Sequence, residues 1–208
     1  MIEPMDYLVL LLLWIAWCTL HSLLIASPVT GYFRHRLGTG FRFYRLAYNG
    51  LSVVTLIPLL LYAWSLRSAP LFSFHGPWRA LQFLLLFISF SLFLSGLRRY
   101  DSLQFLGFRQ LVQADACAVL TEDCTLDLGG VLGMVRHPWY TGGILIVWAR
   151  DLDMAAILTN TVITGYFIVG AFLEERKLIA EFGERYKDYQ KRVSMFLPFK
   201  WLRRKFLT

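Results

Sequence analysis

With 208 residues, 57% of them hydrophobic and 16% aromatic, the chain reads as a small multi-span membrane protein rather than one or two soluble domains. Its net charge of +7 could fit nucleic acid. The basic residues, however, sit in loops and in the tail, where they set membrane topology and favour anionic lipid headgroups over nucleic acid. Cys18, Cys117 and Cys124 form no CxxC pair and have no neighbouring His, which argues against a structural zinc site; they read as reduced thiols.

The first apolar run, Met5 to Ala26, has the length of a retained transmembrane helix. Glu3 and Asp6 stand where a signal peptide would carry its positive n-region. A second span is expected from about Leu46 to Leu66 and a third from Trp78 to Leu97. A fourth, Pro138 to Ala149, makes only about 18 Å of helix, so it is tilted, partial or re-entrant. Arg150-Asp151-Leu152-Asp153 breaks it from a fifth span, Met154 to Leu173, with which it forms a helical hairpin. The expectation is one all-α membrane domain over residues 1–208, a polytopic bundle of about five transmembrane helices. Its tail, marked by Leu178, Phe182, Tyr186, Tyr189 and Val193 at three- and four-residue spacing, reads as a basic amphipathic helix pair bent at Gly183.

Lysines and arginines set the orientation. Four lie between Arg34 and Arg45, four between Arg98 and Arg136, and ten after Glu174; only Arg67, Arg79 and Arg150 remain for the other face. The positive-inside rule then predicts an external N-terminus and a cytoplasmic third loop and tail, as in a bacterial inner membrane.

Chemistry concentrates at the two feet of the hairpin. Arg136-His137-Pro138-Trp139-Tyr140-Thr141-Gly142-Gly143 precedes it and Glu174-Glu175-Arg176-Lys177 follows it. About 37 residues separate His137 from Glu174, roughly two legs of 27 Å, so both feet return to one membrane face. Pro138 suits the first position of a helix, which places Arg136 and His137 at an N-terminus able to receive polar ligand edges. Read blandly, Arg136 is a topology anchor and Glu174-Glu175 a solvated boundary pair; read functionally, the acids hold a cationic or amino-bearing cofactor. His21-Ser22, deep in the first span, is equally a helix–helix hydrogen bond or a functional site. Arg150, Asp151 and Asp153 read as a turn, and the seven tryptophans as interfacial belts. The chain lacks GxGxxG after a strand, GxxxxGK[ST], HExxH and GxSxG, so any cofactor is expected in a membrane-embedded pocket.

The Arg-His-Pro-x-Tyr-x-Gly run, the hairpin, the Glu-Glu pair and the Phe-Gly-x-x-Tyr-x-x-Tyr tail closing on Pro198 resemble the isoprenylcysteine carboxyl methyltransferase family. That group also holds phospholipid N-methyltransferases and methanethiol S-methyltransferases. The N-terminal half, with His21-Ser22, Arg42 and Tyr44-Arg45-x-x-Tyr48-Asn49, looks more like the methanethiol-methylating and NnrU-like bacterial branch. The resemblance implies a membrane S-adenosylmethionine site within residues 98–208 and no metal. Val135, Arg136, His137 and Tyr140 would line it, Glu174 and Glu175 would hold polar parts of the cofactor, and Gln110 would reach in from the third loop. Arg136, His137 and Glu175 would carry catalysis, the partners being membrane lipids and a lipophilic or small thiol, carboxylate or amine acceptor. Two alternatives stay open: an NADPH-dependent sterol-type reductase, whose Arg-His-x-x-Tyr run often has an acid where this chain has Gly143, and a non-enzymatic NnrU-like accessory protein.

Overall fold

A computed structural model describes residues 2–98, 101–112 and 129–206. The described chain is all-helical, as hydropathy predicts, with two isolated β-bridges. In chain order the helices are α1 (Pro4–Ile25), α2 (Ser27–Leu37), α3 (Tyr44–Ser65), α4 (Trp78–Leu97), α5 (Ser102–Leu106), α6 (Arg109–Val112), α7 (Pro138–Trp148), α8 (Met154–Phe182), α9 (Glu184–Arg192) and α10 (Phe199–Phe206). Four segments are long and apolar enough to cross a membrane: α1, the continuous run Ser27–Ser65, α4 and α8. The chain is thus a multi-pass membrane protein, and α7, at 11 residues, is the short leg that the sequence predicts. Cys117 and Cys124 lie outside the described residues; Cys18 is a buried free thiol in α1.

Two boundaries differ from expectation. The basic stretch Arg34–Arg45, read as a loop, is mostly helical: Pro28 opens α2, and Gly38, at φ +50°, closes it before a 3-10 turn over Gly38–Phe43. The last span does not stop near Leu173. It continues in register to Phe182, and Gly183 at φ +55° is what ends it. Glu174 and Glu175 therefore lie inside a helix, where neighbouring residues point about 100° apart.

Close packing divides the chain into two compact units. The first holds residues 1–72, 102–116 and 152–162. Leu10, Trp14 and Cys18 form its buried stripe on α1, and the Trp14 indole donates to Thr159 Oγ1 at 3.0 Å. His21 fastens α1 to α3: its Nδ1 lies 3.0 Å from Ser52 Oγ and its Nε2 2.6 Å from the Tyr48 hydroxyl. Because Ser52 gives its own proton to the Tyr48 carbonyl, Nδ1 carries the ring hydrogen and Nε2 accepts from Tyr48. Arg45 and Asn49 donate to the carbonyls that end α5, at Phe105 and Leu106. Gly107 fits there because its φ is +99° and a Cβ would stand 2.8 Å from the Leu46 nitrogen. The Tyr44-to-Asn49 run is accordingly a set of fasteners.

The second unit holds residues 73–101, 117–151 and 163–208. Small residues let α4 and α7 approach closely, as in helix pairs that lack a hydrophobic driving force. Ser89 Oγ donates to the Gly142 carbonyl at 2.8 Å, and the Trp139 indole donates to the Phe93 carbonyl at 3.3 Å beside Gly96. A Cβ on Gly96 would fall 2.1 Å from the Trp139 ring, and one on Gly143 would fall 2.6 Å from the Phe167 ring. Gly165, also helical, has nothing within 4 Å of that position.

Gly96→Ala and Gly143→Ala should therefore each destabilise the purified protein by about 1–3 kcal/mol through overpacking. Gly165→Ala should be neutral or slightly stabilising. Melting temperatures in detergent check this; equal effects at all three positions would mean that the close approaches carry no energy.

Candidate functional site

The site grows from the turn before α7. Pro138 takes the first helical position and biases the preceding residue away from helical geometry, so His137 caps the helix at φ −122° and ψ 68°. Val135 forms a parallel bridge with Ser194. The Arg136 and His137 amides donate to the Ser194 and Met195 carbonyls, at 3.0 and 3.1 Å. Residues 193–196 are thus a strap laid along the turn, and the Thr141 hydroxyl bonds it again at the Phe196 carbonyl, 3.2 Å away.

Inside the strap lies a buried charge cluster. Glu175 Oε1 receives Arg136 Nε at 2.6 Å and His137 Nε2 at 3.1 Å, while Oε2 receives the Gln190 amide at 2.6 Å. Arg136 Nη1 donates to the Gln190 carbonyl at 3.2 Å and also to the Val193 carbonyl. The side chains of Arg136 and Glu175 are only 8% and 6% exposed, so each carries a large desolvation cost that the other and its hydrogen bonds must offset. Glu175 accepts on both oxygens and is therefore committed to holding its neighbours.

That commitment fixes the His137 ring. A carboxylate can only accept, so Nε2 carries a hydrogen, and in the neutral ring Nδ1 is left with its lone pair. Nδ1 lies 3.8 Å from Glu174 Oε2, too far for a direct hydrogen bond, and the Glu174 side chain is 42% exposed. His137 stacks on Tyr140 (centroids 5.4 Å, interplanar angle 3°), and Tyr140 stacks in turn on Phe167 (5.3 Å, 9°). Gly143 and Gly170 border this ladder.

Beneath the cluster, Tyr186, Tyr189 and Val193 pack as a buried core against Leu178, Ile179 and Phe182. This is the periodic series expected of the tail. Tyr189 donates to the Leu132 carbonyl at 2.6 Å, and burial pushes the Tyr186 phenol well above its usual range, with Glu175 adding to the shift.

The structure therefore brings together Val135, Arg136, His137, Tyr140, Glu174 and Glu175. Gln110 belongs to the first unit, where its amide nitrogen donates to the Gln104 carbonyl at 3.0 Å. Its Oε1 is buried with no hydrogen-bond partner among the described residues. The motifs in the sequence do not single out Gln190. It sits one residue past Tyr189 in the periodic series, and that adjacency is the only sequence signal that it faces the cluster.

The family model described as NnrU protein matches residues 9–202. The chain belongs to the NnrU protein family. Among curated relatives of this NnrU-family chain, methanethiol S-methyltransferase of Pseudomonas sp. (strain GM41(2012)) is 27% identical over 150 residues, 71% of this chain and 57% of that protein. Methanethiol S-methyltransferase 1 of Bradyrhizobium diazoefficiens is 46% identical over 67 residues, 32% of this chain and 24% of that protein. Protein-S-isoprenylcysteine O-methyltransferase of Schizosaccharomyces pombe is 30% identical over 83 residues, 37% of this chain and 34% of that protein. The chain thus spans little more than half the length of the Pseudomonas relative. No solved structure matches it.

Glu175→Ala would leave the Arg136 guanidinium buried without its counter-ion, and a loss of about 3–5 kcal/mol is expected. Gln190→Ala, which removes one donor from Oε2, should cost about 1–3 kcal/mol. Thermal unfolding in detergent measures both; a Glu175→Ala melting curve that overlays the parent's would show that the cluster does not hold the strap.

Proposed function

We propose that this chain is a membrane-embedded methyltransferase that uses S-adenosylmethionine and methylates a lipophilic or small thiol, carboxylate or amine. The observation that carries the reading is the buried Arg136–Glu175–His137 cluster at the cap of α7. The methyltransferase names of the similar proteins support it.

The residues present fit the cofactor. The half-exposed Glu174 carboxylate suits an ammonium or ribose hydroxyl, and the half-buried Tyr140 and Phe167 rings suit the edge of an adenine or a sulfonium. Glu174, Tyr140 and the Val135–His137 turn would hold it. When bound there, S-adenosylmethionine supplies an electrophilic methyl group on a cationic sulfur. The rest is work for the chain. Arg136 and Glu175 lock the imidazole so that its proton stays on Nε2, donated to the Glu175 carboxylate. His137 Nδ1 then offers a lone pair to the proton of a thiol or an ammonium acceptor, while a carboxylate acceptor needs no such base. The strap and the aromatic ladder hold the reactants in place and keep water out, which is the main lever for a displacement between two bound groups.

The positive-inside split places the tail and the α7 cap on the cytoplasmic side of a bacterial inner membrane and the N-terminus outside. A green fluorescent protein fused after residue 208 should fluoresce, and alkaline phosphatase fused there should stay inactive; the reverse pattern would invert this orientation.

Membership of the NnrU family keeps an accessory role in respiratory or denitrification complexes as the second reading. A buried, hydrogen-bonded charge cluster is a costly feature for such a role to retain. Calorimetry on the detergent-purified protein separates the readings. Micromolar binding of S-adenosylmethionine is expected, weakened about tenfold or more by Glu174→Ala, with no response to NADPH. NADPH binding in its place would mean a reductase, and silence with both ligands would favour the accessory role.

A further inference from the structure

The last described helix has an apolar face that the described residues of the second unit leave exposed. On α10, Phe199, Leu202 and Phe206 fall at i, i+3 and i+7 on one face and are 67%, 40% and 70% exposed. Arg203 and Lys205 flank that face, and Lys205 Nζ lies 4.9 Å from the centroid of the Trp201 ring. The helix carries four cations and no acid. The nearest acids on α9, Glu184 and Asp188, are already engaged by Lys187 and Lys191 at 2.6 and 2.8 Å. Three exposed large apolar side chains rimmed by unbalanced positive charge match an interfacial helix on an anionic bilayer surface.

The opposite face of α10 is tied to the candidate site. Lys200 Nζ donates at 2.8 Å to the Gln190 carbonyl, the acceptor that Arg136 Nη1 also uses. The Lys200 amide donates at 3.1 Å to the Ser194 hydroxyl, and the Ser194 carbonyl receives the Arg136 amide. Arg204 Nη2 reaches toward the Gly133 carbonyl at 3.4 Å, two residues before Val135. One residue, Gln190 or Ser194, stands between α10 and the Arg136–Glu175 pair along each of the first two routes.

We propose that α10 docks on anionic lipid headgroups, with Phe199, Leu202 and Phe206 in the interface and Arg203 and Lys205 on the phosphates, and that docking holds the 193–196 strap closed over the Arg136–Glu175–His137 cluster. The docking half stands by itself; the coupling half rests on the methyltransferase reading. Occupancy of the site would then rise with the anionic lipid content of the membrane, through hydrogen bonds that exist only while α10 stays seated against Gln190 and Ser194.

The test reconstitutes the full chain, one protomer per nanodisc, in phosphatidylcholine alone or mixed with phosphatidylglycerol. Amide hydrogen exchange of residues 199–206 is read by mass spectrometry and S-adenosylmethionine binding by calorimetry. Exchange in α10 should slow in the anionic discs, by about fivefold for each cation that meets the surface. Arg203→Gln/Lys205→Gln should remove most of that protection, as should high salt. Both side chains are exposed and lie outside the candidate site, so folding should be unaffected. S-adenosylmethionine should bind several-fold more tightly in anionic discs, and Ser194→Ala, which cuts one of the two routes, should shrink the difference while leaving α10 protected.

Equal exchange in the two lipids would overturn docking. Protection in neutral discs on adding inorganic phosphate would replace the bilayer with a free anion and overturn it equally. Protected α10 with the same S-adenosylmethionine affinity in both lipids would overturn the coupling. Protected α10 with no S-adenosylmethionine binding in either lipid would sink the methyltransferase reading and leave docking intact.

Discussion

The pairing of Arg136 with Glu175 puts a guanidinium and a carboxylate almost wholly out of water, and much of the second unit follows from meeting that demand. A buried carboxylate needs donors on both oxygens, and a buried guanidinium needs acceptors on its other nitrogens. Here the donors come from α7's cap and from α9, and the acceptors come from the carbonyls of Gln190 and Val193. The chain after Gly183 therefore has to return under the turn that precedes α7. The Tyr186–Tyr189–Val193 core supplies the apolar burial that keeps it there. Charge decides where the tail lies, and aromatic packing decides how firmly.

Within this frame the aromatic ladder and the charge cluster meet at a single ring. His137 is held at Nε2 by a carboxylate, with Tyr140 stacked on the ring and Phe196 tilted against it, which leaves Nδ1 facing Glu174. An imidazole so fixed has one tautomer in its neutral form and one direction for exchanging a proton. Gly143 keeps the ladder straight, since any side chain there would meet the Phe167 ring. This gives a physical reason for glycine at the position where an acid is expected in the sterol-type reductases.

Hydropathy alone was enough to place α1, α4 and the short α7 to within a residue or two, because spanning segments must satisfy every backbone group internally and so declare themselves by length. It failed at the end of α8. The charged Glu174-Glu175-Arg176-Lys177 looks like an exit from the membrane, but charge does not end a helix, and Gly183 does. The sequence also cannot separate the settings of Glu174 and Glu175, which both meet His137. Adjacent helical residues face different ways, and the structure leaves one half-exposed and buries the other in hydrogen bonds. The partners of His21 were out of reach because they depend on which helix lies beside α1; Tyr48 and Ser52 differ in sequence from it by about thirty residues and carry no shared motif. Gln190 was hidden for a similar reason: one amide in a run of charged residues has no signature until the helix packs.

The brevity of α7 reaches beyond the protein. At 11 residues it rises about 16 Å, against about 30 Å for the 20 residues of its packing partner α4 and for the hydrocarbon layer itself. The Gln82 amide on the Ala149 carbonyl and the Phe74 amide on Asp151 show neighbouring chain covering part of the difference of about 14 Å, and a thinned bilayer or a column of water and headgroups is open to the rest. Where either of these two fills the gap, the aqueous boundary drops locally toward mid-membrane. Under the proposed methyl transfer, a water-soluble donor and an oil-soluble acceptor, which ordinarily occupy separate phases, could then share one depth without either crossing a hydrocarbon barrier.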